Sequence, residues 1–478
     1  MTPALHRQSG ALPLHLQLAA QLQRQIHDQA MVAGSRVASV RDCARRFGVN
    51  PQTVVAAYDW LQARGLLESR PRQGFYVRPV AAADTAPAAT SCPLCPTQGA
   101  GLLRSNLGQA PAELRASPGA GTLPASWLQT PAPARALHQL LRRAQCGEAT
   151  ASYGPAEGDP LLRELLARQL AELDVPARME DLLLCNGATQ ALDLVLRALT
   201  RPGDAVLVEQ PGWPLPFAQA ARCGLEQLAV ARRGDGPDLQ QVEGWARTRR
   251  PRLMLLVSRL HNPTGSSLGC ACAHRLLELA RQYGFLLVED DVYAALCEQA
   301  SPLLSAMDRL QRTVLIGGFS KLLAPGWRVG YLAAPPEQMT RLREAKLLGG
   351  LASPLLTERA LALLLQRGGL HRHAAALRAR LARARQLAVH LARQHECRFL
   401  FPPRGLFGWV DTGVDTERLA RGLHRQGYLI APGHCFDPVG AAGSCMRLNF
   451  AQAQDASFWQ AFATMRRALR DDAERGAE

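Results

Sequence analysis

The sequence predicts an α/β protein in two parts. A small helical head with a two-stranded wing is followed by a large domain on a mainly parallel sheet, which ends in a smaller α+β subdomain. Three observations carry this. Residues 1–80 hold short helical periodicities separated by glycine-marked turns. Residues 79–101 give up periodicity for Ala, Pro, Thr, Ser and Gly. From about residue 102, near-continuous apolar runs alternate with helical stretches, the pattern of strands buried on both faces.

Composition narrows the classes. A chain of 478 residues with 47% hydrophobic content can bury sizeable cores in two to four domains. Residues 1–10 hold no apolar run, and no stretch approaches a membrane span, so a cytoplasmic protein without a membrane partner is expected. The 12 cysteines form no framework, which favours reduced thiols. Cys92 with Cys95, and Cys270 with Cys272, lack a second pair at zinc spacing, so no metal site is expected. The net charge of +15 suggests a polyanionic partner.

In the head, Leu14, Leu18, Leu22 and Ile26 recur every four residues, an amphipathic helix. Ser39 with Asp42 reads as an N-cap and its acid, and Gly48 stops that short helix. Asn50 then caps a third helix with Pro51 at its first position. Val54, Ala57, Tyr58 and Leu61 would be its buried face, and Gly65 closes it. Two helices joined at Phe47-Gly-Val49 read as a helix-turn-helix. Short apolar strands at 66–69 and 75–77 flank Arg70-Pro-Arg-Gln-Gly74, a wing with two arginines. Ten arginines against four acids give residues 1–80 a charge of +6. Residues 79–104 follow as a flexible linker.

In the large domain, strands are predicted at 182–185, 205–208, 253–257, 285–288, 313–316 and 331–334. Residues from about 350 to 475 read as arginine- and leucine-rich helix followed by mixed strands. Ligands in such sheets sit beyond the carboxyl ends of the strands. The chain has only two lysines, Lys321 and Lys346, against 53 arginines. Arginine cannot replace an amine that must lose a proton to form an imine. Lys321 follows a strand, and Arg328 comes seven residues later. A Schiff-base lysine beside a guanidinium suits a cofactor bearing both an aldehyde and a phosphate. Gly187, Ala188 and Thr189 open a helix after a strand, and their N–H groups would form an anion site. Asp290 and Asp291 compete as the acid at a strand end, and the spacing to Tyr293 favours Asp290.

These motifs resemble known families. Residues 13–77 are similar to the winged helix-turn-helix of GntR-family regulators, with Ala38 where proline is usual and Pro51 where arginine is common. The resemblance implies double-stranded operator DNA as partner. The candidate contacts are Arg36, Arg41, Gln52, Thr53, Arg70, Arg72 and Gly74. Residues 105–470 resemble the fold type I pyridoxal phosphate (PLP) enzymes, the aspartate aminotransferase-like superfamily. This implies Lys321 as the Schiff-base lysine and Gly187, Ala188, Thr189, Ser320 and Arg328 around phosphate. It implies Trp213 on the ring and Asn262 and Tyr293 at the phenolic oxygen. Asp290 would hold the pyridine nitrogen, Tyr153 would reach across a homodimer, and Arg447 would grip an effector or substrate carboxylate. Gly318 replaces the family's phosphate-touching hydroxyl, and Arg404 breaks its paired glycines.

The fusion of residues 1–78, the linker and residues 105–475 resembles the MocR-type subfamily of GntR regulators. It implies a transcription regulator that senses an amine, an amino acid or a B6-related effector. The alternative is a working aminotransferase with an accessory DNA-binding domain. A constitutive DNA binder on an inert scaffold would not need Lys321.

Overall fold

A computed structural model of the chain describes residues 14–27, 34–63, 66–70, 74–77, 114–142, 151, 153–298, 301–441 and 443–475. The chain divides into two compact units, Met1–Thr90 and Ser91–Glu478. The predicted linker at 79–104 lies outside the described residues, as does Gly65.

The head holds α1 (Leu14–His27), α2 (Val40–Phe47), α3 (Pro51–Ala63), β1 (Leu67–Arg70) and β2 (Gly74–Val77). The Ser39 hydroxyl accepts from the Asp42 N–H, and Gly48 closes α2 at φ +64°, where a side chain would be strained. Asn50 Oδ1 accepts from the Gln52 N–H at 3.0 Å and fixes the start of α3. β1 and β2 pair antiparallel, Leu67 opposite Val77, and form the wing. Leu18, Leu22, Val54, Ala57, Tyr58 and Leu61 are buried together with Val37 and Val77. The buried Tyr58 hydroxyl donates to the Ala38 carbonyl at 2.7 Å, so the core helix is tied to the strand leading into α2.

The large unit centres on an eight-stranded sheet. Its strands are β3 (Leu182–Cys185), β4 (Ala205–Gln210), β5 (Glu226–Arg233), β6 (Gly236–Pro237), β7 (Leu253–Val257), β8 (Leu286–Asp290), β9 (Thr313–Gly318) and β10 (Gly330–Ala333). Their order is β3-β10-β9-β8-β7-β4-β5-β6. The pairs from β9 through β5 are parallel. β10 runs antiparallel to both neighbours, because the chain returns from β9 too quickly for a crossover. Alternate residues of one strand feed opposite cores. Leu253 and Leu255 join one apolar cluster, Met254 and Leu256 another, which is why these strands read as unbroken apolar runs. β5 was missed because its burial alternates and it ends in Arg232-Arg233.

A second sheet, all antiparallel, contains β11 (Arg398–Phe399), β12 (Phe407–Asp411), β13 (Ala431–Pro432) and β14 (Cys445–Asn449) in the order β11-β12-β14-β13. Helices Gly369–Gln394 and Ala456–Arg475 belong to this C-terminal part, and Phe458, Trp459 and Phe462 are fully buried there.

Candidate cofactor and DNA-binding sites

The carboxyl ends of β3, β4, β7, β8 and β9 bring the predicted residues to one place. After β3, Gly187 caps α4 (Ala188–Leu199) at φ +79° with no side-chain cap. A Cβ at Gly187 would stand 2.8 Å from Arg328 Nη2, and one at Gly330 would stand 2.6 Å from the Gly187 carbonyl carbon. Only glycine lets these backbones approach. Arg328 adopts the left-handed region, φ +48°, and donates to the Asn186 carbonyl at 2.7 Å. Held there, its guanidinium faces the start of α4. The Gly187 N–H is turned back onto the Cys185 carbonyl, so it is not the free donor expected of it. The Ala188 and Thr189 N–H groups have no backbone acceptor among the described residues. A helix N-terminus, two N–H donors and a guanidinium fit a phosphate. Ser320 is half-buried between β9 and Lys321. Gly318 leaves its nearest neighbours 3.8 Å from a would-be Cβ, so there is room for the hydroxyl this chain lacks.

Lys321 donates to the Gly121 carbonyl at 2.7 Å, and its ammonium lies 5.4 Å from the Tyr293 ring centroid. Burial lowers its pKa to about 8, Arg447 adds to the shift, and Asp290 opposes it. Burial raises the Asp290 carboxyl to about 7, against a bond from the Val292 N–H. The open choice between the two acids is narrowed by geometry. Asp291 is consumed in a buried bidentate pair with Arg259, whereas Asp290 faces Lys321. Asn262 Nδ2 donates to the Tyr293 hydroxyl at 3.3 Å, so these two polar ends converge.

Arg447, on β14, is fully buried. It donates to Asn262 Oδ1 at 3.0 Å and to the Gly119 carbonyl at 2.6 Å, while its Nε has no partner among the described residues. Three aromatic rings surround its guanidinium, Phe407 at 4.5 Å, Phe436 at 5.0 Å and Trp213 at 5.3 Å. Desolvation lowers its pKa to about 10. Trp213 also packs on Phe436, with ring centroids 6.3 Å apart. Tyr153 is 85% exposed.

Sequence reasoning missed three supports. Residues 117–122 lie over the site. Their Ala120 and Thr122 carbonyls accept from Asn449 Nδ2, and the Asn449 N–H donates to the Pro118 carbonyl. Arg259 was also missed. So was a buried network in which Arg232 Nη1 donates to Glu209 Oε1 at 2.5 Å and to the Val257 carbonyl. His261 closes it, Nε2 lying 3.5 Å from Glu209 Oε2, and burial keeps this imidazole neutral, well below its usual pKa. The acid-at-a-strand-end argument used for Asp290 applies equally to Glu209 and would have found it.

In the head, Arg36, Arg41 and Gln52 are exposed and Thr53 is half-buried. The Arg36 guanidinium lies against Gly74 of the wing, 3.5 Å from a would-be Cβ, and Gly74 sits at φ +99°. The Arg70 side chain and all of Arg72 lie outside the described residues. Among the described residues, no helix is long and apolar enough to cross a membrane, and no group of three His, Cys, Asp or Glu could hold a metal ion.

Residues 119–462 match the family described as aminotransferase class I and II, and residues 14–77 match bacterial regulatory proteins, gntR family. The chain is 30% identical to a 2-aminoadipate transaminase of Thermus thermophilus, covering 78% of this chain and 96% of that one. It is 26% identical to the HTH-type transcriptional regulator YisV of Bacillus subtilis, covering 92% and 93%. Among solved structures, the α-aminoadipate aminotransferase LysN of Thermus thermophilus, complexed with N-(5'-phosphopyridoxyl)-L-leucine, superposes with a TM-score of 0.69. It is 28% identical and covers 78% of this chain and 96% of that one.

Proposed function

This chain belongs to the class I and II aminotransferase family and carries a gntR-family head, the pairing of MocR-type transcription regulators, and from that premise we propose that its large domain holds PLP and senses an amine. The observation that carries the reading is Lys321, one of two lysines in the chain, half-buried with a depressed pKa beside Asp290, Asn262 and Tyr293. PLP supplies an aldehyde that captures amines and a ring that withdraws electrons. Lys321 would bond it covalently. The Ala188 and Thr189 N–H groups and Arg328 would hold its phosphate, and Asp290 would keep its ring nitrogen protonated. Asn262 and Tyr293 would meet the phenolic oxygen, with Trp213 on the ring face. A homodimer would place the exposed Tyr153 at the partner's phosphate.

An amino acid would offer its carboxylate to Arg447. Lys321, once bonded to PLP, would already have given up the Gly121 carbonyl; to accept the carboxylate, Arg447 would also have to give up that of Gly119. Both bonds hold residues 117–122, which follow the linker in the chain. Effector binding would thus loosen or re-seat residues 117–122, which follow the stretch Arg115–Ala116 paired with Gly427–Leu429, and bias the DNA-competent arrangement. The head would bind double-stranded operator DNA through Arg36, Arg41, Gln52, Thr53, Gly74, Arg70 and Arg72. A cytoplasmic location would suit a regulator with a gntR-family head.

The test is an absorbance spectrum of purified full-length protein with added PLP, followed by operator-affinity titrations with candidate amines. A visible band that Lys321→Ala abolishes, and an amine that shifts both band and affinity, are the expected results. A protein that stays colourless with PLP would remove the cofactor. Affinity indifferent to every band-shifting amine would remove the sensing. An active aminotransferase remains a second reading, because lysine, acid and carboxylate-binding arginine are all in place. Sustained multiple turnover with an amino donor and a keto acid would favour it.

A further inference from the structure

The outward face of α3 carries no cation. Pro51, Gln52, Val55 and Ala56 are exposed, Val55 to 42%, and they lie on one side of the first two turns. That is the part of a recognition helix that meets base edges. Val54, Ala57 and Tyr58 point into the core and cannot reach DNA. The exposed Asp59 follows on the next turn of α3, and exposed cations lie on the neighbouring elements instead. Arg41 and Arg46 are exposed on α2, and Arg36 is exposed against the wing. Such a surface complements a major groove, with phosphates on its ridges and uncharged base edges on its floor.

Guanine is read there chiefly by Arg or Lys on its O6 and N7, and α3 offers neither. An aliphatic side chain distinguishes one base feature, the C5-methyl of thymine. Glutamine pairs bidentately with adenine N6 and N7. The Gln52 side chain is exposed to solvent at the start of α3.

We propose that α3 selects an A·T-rich half-site core, with Val55 and Ala56 against thymine methyls and Gln52 on an adenine. The arginines of α2 and the wing hold phosphates and add affinity without sequence preference. This rests on the DNA-binding reading of the head.

The experiment selects binders for the full-length protein from a random duplex pool, then replaces each core thymine by deoxyuridine, which removes only the methyl. The enriched core should be A·T-rich. Wild-type affinity should fall about three- to tenfold per critical methyl. Val55→Ala, exposed and checked for folding by its circular-dichroism melt, should lose most of that sensitivity at one position. Gln52→Ala should relax selection at one A·T pair. A G·C-rich core, or affinity indifferent to uracil, overturns the assignment while leaving DNA binding intact. Failure to bind any duplex at low salt sinks the DNA-binding reading itself.

Discussion

Lys321 and the two adjacent acids show how neighbours set a side chain's chemistry. An ordinary lysine, with a pKa of 10.5, is almost wholly protonated at neutral pH, whereas at about 8 roughly a quarter is a free amine at pH 7.5. PLP uptake by the cofactor-free protein should therefore accelerate up to about pH 8 and then level off, followed as growth of the visible band. A continued rise toward pH 10 would mean an unperturbed amine. Asp290 and Asp291 should respond oppositely to removal of their charge. Asp290 has its pKa raised from 3.8 to about 7, so the folded state keeps a proton that the unfolded chain releases. Stability from this group is thus lost as pH rises from about 4 to about 7, and Asp290→Asn should abolish that loss, a few kcal/mol in all. Asp291→Asn instead leaves Arg259 buried and unpaired, and should cost about 3–5 kcal/mol at any pH near neutral. Urea unfolding of the cofactor-free variants at pH 5 and pH 8 separates the two.

At the scale of elements, the proposed phosphate cradle is a meeting of two backbones, those of Gly187 and Gly330, with the Arg328 guanidinium. Gly330→Ala puts a Cβ 2.6–2.7 Å from the backbone of Gly187 and Ala188, which cannot yield as a side chain would. PLP retention should fall about tenfold or more, measured by equilibrium dialysis, with the head's DNA binding at low salt unaffected. In the head, Ser39→Ala removes the cap on α2 and should cost about 1 kcal/mol of that unit's stability by thermal melt. These elements were legible because local chemistry specifies them. Ser39, Gly48, Asn50 and the apolar runs of β3, β7 and β9 each carry their own signal. β5 carried a mixed one and was missed.

For the whole molecule, association is the untested expectation with the most at stake. Tyr153 and Leu348 are 85% and 80% exposed, and Leu347 and Leu351 are about half exposed. The homodimer that the resemblance implies would cover such side chains. Leu348→Asp should shift sedimentation from dimer to monomer, and Tyr153→Phe should weaken PLP retention without changing the sedimentation coefficient. Loss of retention in Leu348→Asp together with dissociation would tie the site to the partner subunit.

The sequence by itself determined the order of elements, the helix caps, the glycine positions and the residues that gather at the strand ends. Each follows from short-range sterics, hydrogen bonding or a rare choice such as lysine in an arginine-rich chain. Only the tertiary structure decided that Asp291 is spent on Arg259, where Arg447 donates, and that the Gly187 N–H is spent on Cys185. It also set residues 117–122 over a site whose other members are some two hundred to three hundred positions away, such as Asn449. Those pairings depend on buried charges finding partners across long chain separations, where desolvation makes an unpaired group too costly. No local pattern records that selection.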